Sequence, residues 1–239
     1  MIPGLAPGVS RDDLVWATHP RGPMTFARRL VFPLCLVVGS LLVIVAGTLH
    51  PDLAGDGAAQ LVAIAHCAGW RAIHWGFLFS FPLSLTGLVG LVGRHAGTPG
   101  EGAGRAGLIV GAFAYGAWLL TVAFMGGAGW ALARSFATAG PGPAATHAVF
   151  LYDMLRPFAL AAQRAAAFAL GIATYLFGRG VLNGKVLPRW LGAVGVAAGL
   201  VGMAFALAFG EDTKADQAAY VLPVLWQLVA GAVLWRARP

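Results

Sequence analysis

Charged residues are scarce in this chain: Asp, Glu, Lys and Arg make up 10% of its 239 residues. A typical soluble domain carries about 25%. So few charges cannot cover the surface of a water-soluble fold of this length. The apolar residues, 59% of the sequence, are concentrated in long runs. The composition therefore predicts a protein that is solvated by lipid.

Cysteine is rare as well. The chain has two, Cys35 and Cys67, and no CxxC motif, so nothing in the sequence indicates a disulfide framework or a zinc ribbon. Glycine-rich phosphate loops, GxSxG nucleophile motifs and HExxH zinc motifs are missing too. Asp153 is the only carboxylate inside an apolar run, which excludes a pair of intramembrane acids for proton-coupled transport. These absences favour a protein that is not an enzyme, and no motif predicts a metal site.

The net charge of +7 does not indicate nucleic-acid binding. Nucleic-acid sites cluster Lys and Arg with aromatic residues on a solvated face, whereas the basic residues of this chain flank its apolar runs. We therefore expect no nucleic acid among the partners. The positive charge instead carries information about membrane topology.

The apolar residues form six runs that are candidates to cross a bilayer. The first has 20 residues and no charge, and as a helix it spans about 30 Å, the thickness of the hydrocarbon. A signal peptide would have a shorter apolar core. The sequence thus predicts an all-α, polytopic transmembrane bundle of six helices at residues 30–236, preceded by a cytoplasmic arm at residues 1–29. The predicted spans are residues 30–49, 72–92, 107–132, 147–177, 190–209 and 220–234.

Basic residues are distributed unevenly between the predicted loops. With the N-terminus inside, eleven of the sixteen Lys and Arg residues fall in inner segments and three in outer ones. Because basic loops stay on the cytoplasmic side, this bias predicts that both termini are cytoplasmic. We expect a multi-pass protein of a bacterial plasma (inner) membrane. In the longest connection, residues 58–68 are apolar on one side and are predicted to form an interfacial helix.

Small residues recur at helical spacing within the spans. Gly107 and Gly111 are four apart, as are Gly195 and Gly199, and a third set is Gly87, Gly90 and Gly93. Such spacing lets helices approach closely in lipid, where packing drives association. We expect membrane lipids and other membrane-protein subunits as partners.

Span four carries the clearest polar anomaly, namely Asp153, Arg156, Gln163 and Arg164. At 100° per residue, all four fall on one helical face about 100° wide. One interpretation is a polar cavity, open to the outside, in which Arg164 binds an anion or a lipid head group, because charges in a bilayer normally face the protein interior or water. The other is that the helix begins above the membrane, that Asp153 and Arg156 are solvated, and that Arg164 snorkels outward.

Four of the six histidines fall in the predicted outer half: His50, His66, His74 and His147. His50 ends span one and His74 begins span two, so the two lie at similar depth on consecutive helices. Imidazole is the commonest metal ligand, and we consider His50, His74 and His147 as candidates for binding a cofactor, either haem b or a metal ion. The alternative is that they are ordinary interfacial residues. His95 is expected to be solvated.

Two short motifs, in their order along the chain, carry a resemblance. Span one ends in Leu49-His50-Pro51, a loop rich in Asp, Gly and Ala follows, and span two begins with Trp70-Arg71-Ala72-Ile73-His74. Over residues 30 to 92 the chain resembles a family of small bacterial membrane proteins of unknown function with about six spans. The resemblance implies the topology and an outer pair of histidines, and it implies no activity.

The sequence supports three hypotheses for function. The first is a non-catalytic accessory or assembly subunit of a membrane complex, favoured by short loops and small-residue helix faces. The second is a haem- or metal-binding electron-transfer subunit that uses His50 and His74. The third is a carrier of a small solute or a lipid that uses the polar stripe of span four.

Overall fold

A computed structural model of the chain describes residues 26–209 and 214–237. Within these ranges the chain forms eight α-helices and one π-helical turn, and no β-strand. The predicted arm at residues 1–29 lies outside the described residues, apart from its last four, which begin α1. The elements are α1 (Phe26–Leu49), α2 (Gly57–His66), α3 (Trp70–Arg94), α4 (Glu101–Ala123), the π-helical turn (Phe124–Gly129), α5 (Trp130–Ala139), α6 (Pro143–Gly184), α7 (Arg189–Ala208) and α8 (Lys214–Arg236).

Six helical segments are long and apolar enough to cross a membrane, which confirms the predicted all-α, six-span architecture. The third segment is α4, the π-helical turn and α5 in continuous succession, and the fourth is the whole of α6. These two have 39 and 42 residues, or about 58 and 63 Å, roughly twice the hydrocarbon thickness. The six segments are Leu30–Leu49, Trp70–Arg94, Glu101–Ala139, Pro143–Gly184, Arg189–Ala208 and Gln217–Arg236.

The two long segments extend beyond the bundle at one end, which we call the cap end. There α2, α5 and the first half of α6 surround a second hydrophobic core, separate from the core of the membrane bundle. The opposite, basic end holds Arg94, Arg105 and Lys185, and Arg94 Nη2 donates to the carbonyl of Ala237 at 3.2 Å. The start of α1 lies at the same end, since a Cβ on Gly90 of α3 would collide with Phe32. Both ends of the described chain therefore lie at the basic end. The buried residues of the cap core are Leu61, Ile64, Trp70, Ala133, Ala148 and Tyr152.

The predicted interfacial helix at residues 58–68 corresponds to α2. Asp56 caps its N-terminus, because Oδ1 accepts a hydrogen bond from the Ala59 N–H at 2.9 Å, the usual role of an Asp at this position. Leu61 and Ile64, on the apolar side of α2, are fully buried in the cap core. The apolar side of α2 therefore packs on α5 and α6 rather than on lipid.

Helix lengths give the level at which the cap begins. At about 1.5 Å per residue, His50 lies about 30 Å from Leu30, where the membrane segment of α1 begins, and His74 and Phe209 lie about 30 Å from the basic ends of α3 and α7. Arg164 lies about 31 Å from Lys185 along α6. Because these lengths equal the thickness of the hydrocarbon, we call this the boundary level. The cap lies beyond it.

Both long segments are irregular just beyond the boundary level. The run Phe124–Gly129 contains three glycines and adopts the π-helical turn; glycine is a weak helix former, and π-turns often occur at functional sites. In α6, Pro157 has no N–H to donate to the carbonyl of Asp153, which weakens the helix there. Measured along their helices, both features lie about 35 to 42 Å from the basic end.

Most of the glycines that recur at helical spacing in the sequence lie where two helices contact each other. A Cβ on Gly199 of α7 would be 2.6 Å from the carbonyl oxygen of Gly171 of α6, and a Cβ on Gly107 would be 3.1 Å from the ring of Phe177. No side chain larger than hydrogen fits at Gly199 without moving a backbone. Gly93, by contrast, has no atom within 4 Å of its Cβ position, so it does not belong to a tight interface.

Candidate metal centre

Trp70 begins α3 and links that helix to the cap. Its side chain is fully buried, and its indole Nε1 donates a hydrogen bond to the carbonyl of Met125 at 2.8 Å. Met125 lies in the π-helical turn, where the backbone departs from regular α-helical hydrogen bonding, and its carbonyl accepts from this side chain. The bond fixes the indole close to the boundary level, next to two histidines.

His50, Trp70 and His74 form a compact group of rings. The His50 imidazole centroid is 4.9 Å from that of Trp70 and 5.4 Å from that of His74, and the Trp70 and His74 centroids are 4.4 Å apart. His50 directly follows α1, and His74 lies one turn into α3. Because α1 and α3 run antiparallel and are joined at the cap end, their packing brings the two imidazoles together.

Both imidazoles use the same nitrogen for a backbone contact. His50 Nδ1 is 2.9 Å from the carbonyl oxygen of Pro51, and His74 Nδ1 is 2.7 Å from that of Trp70. A carbonyl oxygen only accepts, so each Nδ1 carries the proton and the Nε2 of each neutral ring keeps its lone pair. Burial lowers the pKa of His50, which favours its neutral form near pH 7. Metal-binding histidines are commonly held in this way.

A groove of about 250 Å³ opens beside His74, between α3 and the π-helical turn. Arg71 and Trp75 line it on the α3 side, and Val122 and Gly126 line it on the other. A Cβ on Gly126 would lie 2.8 Å from the Cβ of His74, so glycine lets the turn approach the histidine closely. The groove brings the surface of the bundle to a side chain that is otherwise buried.

The separation of the two imidazoles fits a shared metal ion. Two rings bound to one tetrahedral ion at about 2.0 Å have centroids about 5 Å apart, and two rings bound linearly have centroids about 6 Å apart. The observed 5.4 Å lies between these values. Within residues 26–209 and 214–237, no three His, Cys, Asp or Glu side chains are grouped to hold a metal. An ion bound by His50 and His74 would therefore complete its coordination with water or with a donor from another molecule.

A haem fits this arrangement less well than a bare ion. Two histidines that ligate one haem face each other across the flat macrocycle. Here the indole of Trp70 packs against both imidazoles and occupies the space beside them. The geometry of the described residues therefore favours an ion.

His147 lies away from the pair. It is exposed near the start of α6, about 25 Å along the helix from Arg164 and the boundary level. His66, the last residue of α2, is also exposed, and its Nδ1 is 2.8 Å from the carbonyl oxygen of Val62. Of the three candidate ligands in the sequence, the structure brings His50 and His74 together and places His147 on the surface of the cap.

Arg164 caps the end of another helix. Its Nη2 donates to the carbonyl of Phe209 at 2.8 Å, directly after the last residue of α7, where a helix presents unpaired carbonyls and partial negative charge. Gln163 precedes it on α6 and is half-buried. Both residues lie at the boundary level, so the position of Arg164 favours contact with α7 over a site deep in the membrane.

Asp153 and Arg156 lie further out on α6, beyond the boundary level. Asp153 is exposed and Arg156 is half-buried. A Cβ on Gly57, the first residue of α2, would collide with the Asp153 carboxylate. A carboxylate at this place is favourable because a helix N-terminus carries partial positive charge. These positions favour the interpretation in which the helix begins above the membrane.

His95 lies in an environment different from the one that the sequence predicts. The sequence predicts a solvated side chain, which is wrong: His95 is 1% exposed at the basic end, because Gly184 at the end of α6 packs directly against the imidazole. Neither ring nitrogen has a hydrogen-bond partner among the described residues. Burial lowers the pKa of His95. The contact joins residues distant in sequence, and no local signal predicts it.

No family model matches the chain, and no curated protein or solved structure is significantly similar to it. The resemblance of residues 30 to 92 to a family of small six-span proteins therefore stays a prediction. The six apolar helices make the chain an integral membrane protein.

Proposed function

We propose that this membrane protein binds a first-row transition-metal ion, of the copper or zinc type, between His50 and His74. One observation carries the proposal: the two imidazoles are 5.4 Å apart, each is held at Nδ1 by a backbone carbonyl, and each keeps a lone pair on Nε2. Imidazole is a suitable ligand for copper, zinc, iron and nickel. Neutral imidazole is the form that binds a metal, so the lowered pKa of His50 supports binding near neutral pH.

The surroundings of the pair suit an ion that is exchanged. An ion held by two protein ligands keeps open coordination positions, as catalytic metal sites do, whereas permanent structural sites are closed by four protein ligands. The groove beside His74 reaches the surface at the boundary level. An ion can therefore enter or leave without crossing the hydrocarbon.

The test is metal binding by the purified protein in detergent. The protein is incubated with Zn²⁺ or with Cu⁺, the bound metal is quantified by elemental mass spectrometry, and the affinity is measured by competition with a chelator. We expect about one ion per chain in the wild type and, because a ligand is lost, at least about tenfold weaker binding in His50→Ala and in His74→Ala. The matched controls are His66→Ala and His147→Ala, which remove exposed histidines of the cap and should bind like the wild type.

Two outcomes would contradict metal binding at this pair. One is a wild-type protein that retains neither ion, and the other is equal binding by all four variants. X-ray absorption of the loaded protein should show two imidazole ligands. A Soret band in the purified protein would instead favour the haem alternative.

We further propose that the protein is a non-catalytic accessory subunit that docks another membrane protein. The supporting observation is an apolar stripe on α6, in which Phe150, Met154 and Phe158 lie one turn apart and are 58%, 63% and 62% exposed. Phe158 lies about 9 Å and Phe150 about 21 Å beyond Arg164 along the helix, where acyl chains do not cover them. Exposed apolar patches outside lipid are typical of protein contacts.

Site-specific photocrosslinking in cells tests the docking proposal. A photoreactive amino acid at Phe150 or Phe158 should give an adduct with one discrete protein. The control position is Phe113 of α4, which is 63% exposed but lies at hydrocarbon depth, and it should react with lipid. Lipid adducts alone at all three positions would contradict a docking role for the stripe.

A carrier that uses the polar stripe of α6 has less support. Arg164, the residue that would bind an anion or head group, donates to the Phe209 carbonyl. Asp153 is exposed in the cap rather than within the bundle.

We also infer that the basic end faces the cytoplasm of a bacterial plasma membrane. The support is the excess of Arg and Lys in the loops at that end, since basic loops are retained on the cytoplasmic side. In this orientation the cap and the pair of histidines lie on the outer side.

A further inference from the structure

Four polar side chains from four helices are buried inside the membrane bundle. They are Ser40 of α1, Ser84 of α3, Tyr115 of α4 and Gln227 of α8, and none is more than 2% exposed. At about 1.5 Å per residue, Ser40 lies about 15 Å from Leu30, where the membrane segment of α1 begins, and Ser84 and Gln227 lie about 14 to 15 Å from the basic ends of α3 and α8. Tyr115 lies about 21 Å from the start of α4. All four are therefore well inside the hydrocarbon. Polar residues at this depth are expensive and usually functional.

Two of these side chains are linked directly, and a third lies beside them. The Tyr115 hydroxyl donates to Oε1 of Gln227 at 2.7 Å. Ser84 Oγ lies near the Tyr115 hydroxyl, but no hydrogen bond of normal geometry joins the two groups. On its other side it faces α1, since a Cβ on Gly39, the residue before Ser40, would lie 2.5 Å from it.

Ser40 is level with Gln227 where α1 packs on α8. A Cβ on Gly231 of α8 would lie 2.9 Å from Cγ2 of Val37, which fixes the register of the two antiparallel helices. Gln227 lies one turn from Gly231 toward the cap end, and Ser40 lies about one turn from Val37 in the same direction. Ser40 is therefore at the level of Gln227 on the neighbouring helix, and we call the four side chains together the midplane cluster.

The midplane cluster contains more hydrogen-bonding groups than it satisfies. Ser40 Oγ, Ser84 Oγ and Gln227 Nε2 are buried and have no hydrogen-bond partner within the described part of the chain. Exchanging the amide oxygen and nitrogen of Gln227 does not remove the imbalance, because Tyr115 then accepts and the amide oxygen is left over. No lipid group at this depth can supply a partner.

We propose that the midplane cluster is a hydration site and that its ligand is water. Water both donates and accepts, so it can satisfy two hydroxyls and an amide together, and buried waters typically make about three such bonds. A cation is disfavoured because none of the four side chains carries a charge that would compensate it at the centre of the bilayer. The site is separate from the pair of histidines and does not depend on metal binding.

Water-edited solid-state NMR of the full chain in lipid bilayers tests the proposal. Polarisation is transferred from water to the side-chain nitrogen of Gln227 and compared with the neighbouring Trp226 indole. The indole is a matched control because it is equally buried but donates to the Leu191 carbonyl at 2.9 Å. We expect transfer to Gln227 to be several times faster than to Trp226. Equally slow transfer to both groups would show a dry cluster and overturn the proposal.

Replacing Ser40 by alanine gives a second test, in which the melting temperature and the polarisation transfer to Gln227 are both measured. In a hydrated cluster, Ser40→Ala removes a ligand of the bound water, so it should lower the melting temperature and slow the transfer to Gln227. In a dry cluster, the same change removes an unpaired hydroxyl and should raise the melting temperature or leave it unchanged, with no effect on transfer. Ser80→Ala is the control, since Ser80 is equally buried and donates to the Phe77 carbonyl at 2.6 Å; it should leave the transfer to Gln227 unchanged.

Discussion

Replacing Tyr152 by Phe tests whether a buried polar contact holds the cap together. Tyr152 is fully buried on α6, and its hydroxyl donates to Oε1 of Gln60 on α2 at 2.9 Å. Gln60 Nε2 in turn donates to the carbonyl of Gly55 at 3.0 Å. Tyr152→Phe removes one oxygen and leaves Gln60 Oε1 buried without this donor.

The size of the effect follows from the asymmetry of buried hydrogen bonds. Leaving one partner unsatisfied costs roughly 1 to 3 kcal/mol, so we expect about 2 kcal/mol less stability for the cap. This corresponds to about a 30-fold larger population of the opened cap. Replacing both partners by apolar groups is close to neutral. The double variant Gln60→Leu/Tyr152→Phe should therefore recover most of the loss, because the exposed Gly55 carbonyl can be hydrated.

Cys67 offers a local assay for opening of the cap. It directly follows α2 as its C-cap residue, is half-buried, and packs against the cap core. In a Cys35→Ala background, the rate of Cys67 alkylation in detergent should follow the population of the opened cap. We expect about 30-fold faster alkylation in Tyr152→Phe than in the parent, and a rate near the parent in the double variant.

A second variant, which truncates an apolar side chain of the cap core, shows whether the assay detects opening of the cap. Leu61→Ala removes a fully buried side chain of the cap core and should accelerate alkylation whatever the role of the hydroxyl. If Leu61→Ala accelerates alkylation and Tyr152→Phe does not, the contact between Gln60 and Tyr152 does not stabilise the cap. A double variant as reactive as Tyr152→Phe would refute the argument from the unsatisfied oxygen.

Two further predictions concern the basic end and the helix interfaces. Burial holds the pKa of His95 in the folded protein below its ordinary value of 6.5. As the pH falls through 6.5, the unfolded chain therefore binds more protons than the folded protein does. The folded protein is consequently less stable below this pH than above it. Melting curves between pH 7.5 and 5 should therefore fall less steeply for His95→Gln than for the wild type; equal slopes would contradict this. Gly199→Ala should destabilise the folded protein by about 1 to 3 kcal/mol, because the added Cβ meets the Gly171 carbonyl. Gly93→Ala is the control, because there is open space around its Cβ position. In the same thermal assay it should be neutral or stabilise the protein by up to about 1 kcal/mol.

Much of the membrane architecture follows from hydropathy, because lipid requires long apolar helices whatever their partners are. The first span, predicted at residues 30–49, matches the segment Leu30–Leu49. Hydropathy does not predict where the two long segments end. Their outer halves carry polar residues such as Arg134 and Asp153, so a hydropathy profile does not distinguish them from loops. Their helical state depends on packing in the cap core.

The candidate site was only partly accessible from the sequence. Consecutive antiparallel helices place His50 and His74 at one depth, which spacing alone can indicate. The role of Trp70 depends on a π-helical turn more than fifty residues later in the chain, and periodicity does not reveal such a turn. The burial of His95 likewise depends on Gly184, a long-range contact that local composition conceals.

The π-helical turn and Pro157 occur at the same height on the two longest segments. Each interrupts the regular backbone hydrogen bonding that makes a helix stiff. The chain is therefore most easily bent in one plane, just above the acyl chains, and a small tilt there would displace the cap as a single body. The Trp70 indole is hydrogen-bonded to the Met125 carbonyl at this level. Such a tilt would therefore move the indole, which packs against both His50 and His74.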